Sequence, residues 1–163
     1  MATERNEERM MADLEGEFLV FAIELQIHKV WQVWRWYPVV QAMTAMIVEL
    51  LEDPDLGLLN YEYRFSFRNQ FILMYWRSFE HMHDWATAKG NAHADGWRML
   101  NKLMKEHPDL VGFWHESYVV TQHESFYRNV PAVGLGKAGT LVPMRGGMTS
   151  SAARLRAARA NAA

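Results

Sequence analysis

The side chains best suited to chemistry are concentrated between Met74 and Trp97, in the stretch MYWRSFEHMHDWATAKGNAHADGW. This stretch holds three tryptophans and three histidines, together with cationic and acidic side chains. Histidine is the commonest metal ligand and general base, and tryptophan offers a large apolar surface with one hydrogen-bond donor. The composition suits a metal or haem site, the wall of a small-molecule pocket, or an aromatic helix packed against a sheet.

His93 is the histidine whose position most favours a functional role. It precedes Trp97 by four residues, so the imidazole and the indole lie on one face of a helix. It also follows Gly90 and Asn91, where a helix break would leave its side chain free to enter a cavity. We expect His93 to act as a base, as a hydrogen-bond donor to substrate or as an axial haem ligand. The structural alternative is a core histidine with satisfied hydrogen bonds.

His81 and His83 do not predict a metal site. Because they are two residues apart on a predicted helix, their side chains point about 200° apart and cannot share one ion. The sequence also lacks the His-x-Glu and His-Glu-x-x-His zinc signatures. We therefore expect no metal ion held by protein side chains alone.

A second group of ionisable residues lies in VGFWHESYVV, residues 111–120. Successive residues of a strand face opposite sides of the sheet. One face carries Phe113, His115 and Ser117, and the other carries Trp114, Glu116 and Tyr118. Burial would favour the neutral form of His115 or Glu116 and so shift its pKa, which makes both candidates for catalysis. An ion pair of Glu116 with Arg77 or Arg64 that fixes the strand register is the structural alternative.

Bulk composition predicts a single domain and excludes several classes of function. The chain has 163 residues, 22% of them charged, with seven tryptophans and eleven methionines that suit an adaptable apolar cavity. A net charge of −2 without a basic stripe gives no reason to expect nucleic acid. No apolar run reaches the roughly 18 residues of a membrane span. Because cysteine is absent and the N-terminus lacks a secretory pattern, we expect a cytoplasmic protein.

The elements that would position these residues follow the order strand, helix, strand, strand, helix, strand. Apolar and alternating patterns predict strands over 17–27, 61–68, 71–76 and 111–120, with a hairpin connection at 68–70. Helical spacing predicts one helix from about Pro38, near its first turn, to just before Pro54, and another from about Phe79 to Met104, with Ser78 as N-cap and a break at Gly90. This order is the ferredoxin-like βαββαβ arrangement of an α+β fold.

The chain divides into three segments. Residues 1–16 are expected to form a flexible arm, residues 17–143 a single α+β domain, and residues 144–163 a basic, alanine-rich tail that is helical or disordered. Within the domain, the segment after residue 120 should dock on the body, where Tyr127 and Asn129 would close the pocket or satisfy loop backbone groups. The glycines of GLGKAG do not predict a nucleotide loop, because no strong strand precedes them.

The open face of the predicted sheet would still be apolar. Packing it against a second copy of the chain buries that surface, so we expect a homodimer.

Five segments together resemble a known family. They are FLVFAIELQIHKVWQVWRWYPVVQAM, YWRSFEHMHDWA, HADGW, VGFWHESYVV and YRNVPAVGLGKAGTLVP. They are similar to the small monooxygenase family that includes the fumagillin-pathway monooxygenase, a relative of the antibiotic biosynthesis monooxygenase superfamily. The resemblance runs over about residues 17–143.

The resemblance implies a dimeric α+β barrel with a pocket between the sheet and the helices of each subunit. It also implies oxidation of polyketide-like aromatic substrates with O₂, often without metal or flavin. The residues that match the family are Trp76, Arg77, His93, Trp97, His115, Glu116 and Tyr118. The first segment differs from the family at Gln26 and His28, a change expected to alter the substrate.

Together these arguments assign His93, His115, Glu116 and Arg77 to catalysis, with Arg77 stabilising a developing oxyanion. The expected substrate-binding residues are His28, Tyr75, Trp76, Trp97, Tyr118, Tyr127 and Asn129. The main hypothesis is a monooxygenase for a small hydrophobic compound that is aromatic, polyketide-like or terpenoid-like. The alternatives are a haem enzyme, since the same fold hosts haem-degrading monooxygenases and aldoxime dehydratases, and a dimer that binds a metabolite without catalysis. The cofactor expectation is therefore none or haem.

Overall fold

Four antiparallel strands form the main sheet in the computed structural model, which describes residues 7–148 and 150–161. The strands are β2 (Phe18–Ile27), β3 (Leu58–Phe65), β4 (Asn69–Trp76) and β5 (Val111–Val120). Their spatial order is β3-β4-β2-β5, so β4 and β2 are central. β2 and β5 coincide with the strands predicted from apolar and alternating residues, apart from one residue at the start of β2.

Three helices cover one face of this sheet. They are α1 (Val33–Glu52), α2 (Phe79–Thr87) and α3 (Ala92–Glu106). Their apolar sides share one core with the side chains of the sheet that face them, among which Leu19, Leu25, Ile27 and Trp76 are almost completely buried. The order of strands and helices in this body is the predicted ferredoxin-like one, with the second helix divided in two.

The helix division occurs where the sequence placed it. Ser78 accepts a hydrogen bond from the backbone N of His81 as the N-cap of α2, and Asn91 does the same for Ala94 at the start of α3. Gly90 lies between the two helices with a φ of 81°, in the left-handed region that glycine adopts easily. This break sets the position of His93 near the start of α3.

Several predicted boundaries were wrong by two to five residues, among them the starts of β3 at Leu58 and of β4 at Asn69. α1 begins at Val33, so Pro38 lies inside the helix and removes one backbone hydrogen bond there. The first hairpin strand ends at Phe65 rather than at Arg68. Ser66 closes the turn early, because its backbone N donates to the Asn69 carbonyl and its Oγ accepts from the Asn69 backbone N.

The chain ends form a second, smaller layer. β1 (Met10–Asp13) pairs antiparallel with β6 (Thr140–Pro143), which follows the short helix α4 (Leu135–Ala138). Sequence analysis did not predict β1, and expected residues 1–16 to be loosely attached. A segment of four residues is too short to show a clear strand pattern in the sequence. Its strand conformation depends on pairing with β6, which is distant in the chain.

The basic tail contains the helix α5 (Ser151–Asn161). Arg154 anchors it, since its Nε donates to Glu124 Oε2 over 2.7 Å and its guanidinium lies over the Phe126 ring. Residues 1–6 of the expected arm, and residues 149, 162 and 163 of the expected tail, lie outside the described residues. No helix among residues 7–148 and 150–161 has the length and apolar character to cross a bilayer.

Candidate functional site

A cavity of about 350 Å³ lies between the main sheet and its three helices. Side chains of β2, β4 and β5 line one side, and side chains of α1, α2 and α3 line the other. A volume of this size is typical of small-molecule sites in proteins. The pocket occupies the interface where the sequence-based interpretation placed it.

Apolar side chains dominate the lining. Four methionines contribute flexible thioethers, which adapt to irregular ligand shapes. The polar residues among the described lining are His83, His93, His115 and Ser117. The apolar lining residues are Phe21, Ile23, Val39, Met43, Met46, Ile47, Ile72, Met74, Trp76, Phe79, Met82, Trp85, Ala86, Gly96, Trp97, Leu100 and Phe113. A ligand in this cavity would therefore contact mainly apolar side chains and a few polar groups.

His93 is half-buried in this wall. Burial lowers the pKa of its imidazole below the ordinary 6.5, while the nearby Ala86 carbonyl and the Glu49 carboxylate act more weakly in the opposite direction. Its Nδ1 is buried without a hydrogen-bond partner among the described residues. Burial therefore favours the neutral ring, and a neutral imidazole is able to accept a proton.

Contacts between tilted aromatic rings hold the His93 side chain in the cavity wall. Its centroid lies 5.2 Å from that of Trp85, which in turn lies 5.6 Å from Trp76. Trp76 is fully buried and Trp85 nearly so. The three rings form a continuous line from the centre of the sheet to the start of α3.

Glu49 fixes the junction of the three helices beneath His93. Its Oε1 accepts a hydrogen bond from Trp85 Nε1, and its Oε2 accepts one from the backbone N of Ala92, both over 2.7 Å. Asn91 adds a third tie by donating its side-chain amide to the Trp85 carbonyl. A carboxylate at a helix N-terminus is also favoured by the helix dipole. Glu49 therefore positions both the indole and the imidazole.

His115 contributes the polar wall from the sheet side. Its ring centroid lies 5.3 Å from Phe21 and 6.0 Å from Phe113, which packs edge-on to Trp97. His115 and Ser117 share the cavity face of β5, as strand alternation predicted. Both residues are exposed, as are Phe79, His83 and Trp97, so this side forms the mouth of the cavity.

Four expected site residues are brought together here: Trp76, His93, Trp97 and His115. Three others do not line the cavity. Arg77 follows the inward-facing Trp76 and is exposed, with its Nη2 near the Pro54 carbonyl. Glu116 and Tyr118 lie on the opposite face of β5, where the Tyr118 hydroxyl donates to Glu116. Arg77 is therefore not positioned to stabilise an oxyanion in the cavity, and Glu116 is not positioned as its base.

The remaining expected binding residues also lie elsewhere. Tyr75 and Tyr127 are half-buried beneath the C-terminal segment, and burial raises the pKa of both phenols. The Tyr127 hydroxyl accepts a hydrogen bond from the Gly136 backbone N over 2.9 Å, so it satisfies a loop. Asn129 is exposed with a φ of 56°, and His28 is exposed at the end of β2.

Sequence analysis missed several residues that shape the site. Glu49 was not singled out, although an acid amid the apolar run AMIVELL is a signal of a buried hydrogen-bond acceptor. Ser117 was placed on the correct face but given no role. Gly96 was also missed, and a Cβ there would lie 2.2 Å from Met46 Cε. Its small size lets α3 approach α1 over the cavity.

The donor set does not provide a metal centre. No group of three or more His, Asp or Glu side chains within the described part of the chain could hold a metal ion. For haem, His93 is present in the lining, but Trp85 packs against its ring. None of the described lining residues is Arg or Lys, the side chains that pair with propionates. The residues present therefore fit haem poorly.

Comparisons with solved structures show that other proteins share this fold at low sequence identity. Two aldoxime dehydratase crystal structures, one with bound butyraldoxime, superpose with a TM-score of 0.62 at 11% and 13% identity. They cover 82% and 85% of this chain, and 39% and 42% of their own, so the chain spans about two-fifths of their length. SnoaB, a cofactor-independent oxygenase from Streptomyces nogalater, matches with a TM-score of 0.46 at 11% identity over 67% of this chain and 97% of its own.

Sequence comparison gives a more direct assignment. None of the curated proteins is significantly similar in sequence to this chain. The family model described as monooxygenase af470-like matches residues 18–135, which run from the start of β2 to α4 and include every residue that lines the cavity. Since this match covers well over half of the sequence, the chain belongs to the monooxygenase af470-like family.

Proposed function

We propose that the protein is a monooxygenase that oxidises a small hydrophobic metabolite with O₂ in the cavity beneath its helices. The observation that carries the proposal is the half-buried imidazole of His93 in the wall of a mainly apolar cavity, where burial lowers its pKa. Membership of a monooxygenase family supports the reaction class. The apolar lining supports a substrate that is aromatic, polyketide-like or terpenoid-like.

The proposed chemistry begins with proton removal. His93 accepts a proton from an acidic C–H or O–H of the substrate, and the dry cavity keeps water away from the resulting anion. The electron-rich anion reduces O₂ directly. For a CH₂ group the balance is R₂CH₂ + O₂ → R₂C=O + H₂O, so the substrate supplies both electrons that reduce the second oxygen atom to water. No external reductant is needed.

His115 and Ser117 are proposed to orient the substrate from the sheet side. Both lie on the cavity face of β5, where an imidazole and a hydroxyl can bond a substrate oxygen. Trp76 and Trp97 would hold its apolar part by flat contact. Arg77 and Glu116 have no part in this scheme, because neither reaches the cavity.

Anthrone is a suitable test substrate, since it is apolar and its CH₂ group loses a proton to form an electron-rich anion. The purified protein should convert it to the ketone with one atom from ¹⁸O₂, detected by mass spectrometry. His93→Gln should lower the rate about 10²- to 10⁴-fold, the usual contribution of a general base. His28→Gln, at an exposed site away from the cavity, should leave the rate unchanged. Full activity in His93→Gln would contradict the role of His93.

A haem enzyme is the alternative proposal. The similarity to aldoxime dehydratases supports a shared fold, and His93 would be the axial ligand. The lack of a cation in the described lining argues against it. An absorption spectrum with native mass spectrometry, taken after expression with added haem, distinguishes the two proposals. A Soret band lost in His93→Ala would establish haem. A colourless protein that binds the apolar substrate, but does not oxidise it, would favour a binding protein.

We also propose that the protein is a homodimer with the two sheets packed face to face. Phe71, Leu73 and Trp114 lie on the sheet face opposite the helices and are half-buried. Glu24 lies between Phe71 and Trp114, and its Oε1 is buried without a partner among the described residues. A second copy would cover the apolar side chains and offer groups that satisfy this oxygen.

A further inference from the structure

Large aromatic side chains are exposed at one end of the molecule. Trp31 and Trp34, at the start of α1, are 64% and 69% exposed, and Phe65 and Phe67, at the β3–β4 hairpin, are 60% and 72% exposed. Soluble surfaces seldom carry several such residues together, and a contiguous apolar patch marks an interaction site. We call these four residues the aromatic tip.

The four residues share one end of the sheet. The backbone N of Ile27, the last residue of β2, donates to the Arg68 carbonyl over 2.6 Å, which places the hairpin beside the end of β2. Trp31 follows Ile27 by four residues, so it lies within about 14 Å of that point. Phe65 faces the helix side of the sheet, because it pairs with the fully buried Gln70. The start of α1 lies on the same side.

The aromatic tip is held in place by ordered segments. Trp36 Nε1 donates to the Val30 carbonyl over 3.1 Å, and the backbone N of His28 donates to the Leu110 carbonyl over 2.9 Å. The hairpin is closed by Ser66, as described above, and the rings of Phe65 and Phe67 pack edge-on at 5.9 Å. The backbone therefore holds these aromatic side chains in water, instead of allowing them to fold back into the core.

Three cationic residues are close in the chain to the residues of the aromatic tip. Arg64 and Arg68 flank the two phenylalanines and are exposed. Arg64 has a partial partner in Glu62 at 3.5 Å, and Arg68 forms no ion pair with any residue of the described chain. Lys29 precedes Trp31 and pairs with Asp109. Arg68 is therefore the cation next to these apolar rings that has no ion pair among the described residues.

We propose that the aromatic tip docks on an anionic membrane surface, with its rings at headgroup depth and Arg64 and Arg68 against the lipid phosphates. Tryptophan is enriched at this depth because its ring is apolar and its N–H is polar. Each nearby cation adds attraction to anionic lipid. Trp31 and Phe67 lie in connecting segments, and Trp34 and Phe65 lie at the adjoining ends of α1 and β3. In the proposed homodimer, the second copy packs on the open face of the sheet and not on the aromatic tip.

Vesicle sedimentation tests the proposal with the full chain. The vesicles are phosphatidylcholine alone, or equal parts of phosphatidylcholine and phosphatidylserine. Wild-type protein should sediment with the mixed vesicles and bind less as salt is added. Trp31→Ser/Trp34→Ser should weaken binding at least about tenfold. Arg64→Gln/Arg68→Gln should weaken binding about tenfold on the mixed vesicles and reduce the salt dependence.

The control is Leu51→Ser, which removes a 56% exposed apolar side chain at the other end of α1 and should bind like wild type. Unchanged circular dichroism and melting temperature confirm that each variant folds. The proposal is overturned if wild type fails to bind the mixed vesicles, or if Trp31→Ser/Trp34→Ser binds as well as wild type. It is also overturned if this variant changes the oligomeric state in light scattering, because the aromatic tip is then an interface between copies.

Discussion

At the residue scale, the lowered pKa of His93 affects stability as well as chemistry. In the unfolded chain, histidine takes up a proton at a pKa of about 6.5. In the folded protein, burial lowers the pKa of His93, so the unfolded state binds more protons as the pH falls through 6.5. Acid therefore favours unfolding through this residue, and the stability contributed by its neutral ring is complete only above that pH.

This linkage gives a first prediction. The free energy of unfolding of wild type, relative to His93→Gln, should fall as the pH is lowered from about 7.5 to about 5, because glutamine does not titrate there. Urea denaturation at each pH measures the difference, and NMR titration of the His93 ring should give a midpoint below about 6.5. A difference independent of pH would show that burial does not disfavour the charged ring.

Single residues were predictable where a periodic pattern fixed their direction. Spacing of four on a helix placed His93 and Trp97 on one wall, and strand alternation separated His115 from Glu116. Arg77 was assigned from the family resemblance, and its exposed side chain lies outside the cavity lining. Tyr127 and Asn129 lie in irregular chain, whose direction depends on distant contacts that the sequence does not reveal.

At the element scale, Glu49 links α1 to both helices that meet at the α2–α3 break. Both of its oxygens accept from N–H donors, on Trp85 and on Ala92. Replacing the carboxylate with an amide would turn an NH₂ group towards one of these donors. A buried donor would then lose its acceptor, which costs about 1–3 kcal/mol.

Glu49→Gln should therefore lower the free energy of unfolding by about 1–3 kcal/mol in urea titrations, and should shift the Trp85 indole N–H resonance. Glu52→Gln is the matched control, since Glu52 lies one turn later in α1 and is exposed. It should change stability by no more than about 0.5 kcal/mol. Equal stabilities of the two variants would show that the hydrogen bonds of Glu49 contribute little.

The β1–β6 ribbon depends on a close backbone approach at Gly139. A Cβ at this position would lie 2.3 Å from the Asp13 carbonyl oxygen. The backbone of Asp13 is not able to move away without breaking its pairing with Thr140. Gly139→Ala should destabilise the fold by about 1–3 kcal/mol and increase proteolysis before residue 14. Gly146→Ala, where a Cβ would meet no atom within 4 Å, should have no effect. Equal proteolysis rates would contradict the steric argument.

Elements were predictable in proportion to their length and local pattern. β5 was placed correctly, because ten residues carry a strand signal. α1 was started five residues late, because Pro38 was taken as a first-turn proline while Trp36 packs into the core ahead of it. β1 has four residues and a partner about 130 residues away in the chain. Pairing at that separation is a tertiary effect, which a local pattern does not encode.

At the scale of the whole molecule, three regions around the main sheet differ in the side chains that they carry. The helix face encloses the cavity, one end carries the aromatic tip, and the open sheet face carries Phe71, Leu73 and Trp114 around Glu24. Glu24 Oε2 accepts a hydrogen bond from Trp114 Nε1, and its Oε1 has no partner among the described residues. The overall order of strands and helices was predictable, because each central element has a periodic pattern. The homodimer was inferred from the sequence because residues on both faces of β4 are apolar, which leaves an apolar sheet face for a second copy to cover.

The proposed sheet-to-sheet dimer leads to the last prediction. Leu73 lies in the central strand β4 and faces away from the helices, so a charge there would be buried between two copies without a partner. Leu73→Glu should convert a dimer into a monomer in light scattering and ultracentrifugation. Val48→Glu adds the same charge on the exposed side of α1 and should leave the dimer intact. If Leu73→Glu remains dimeric, or if only Val48→Glu dissociates, the copies do not meet through their sheets, and Glu24 requires a different partner.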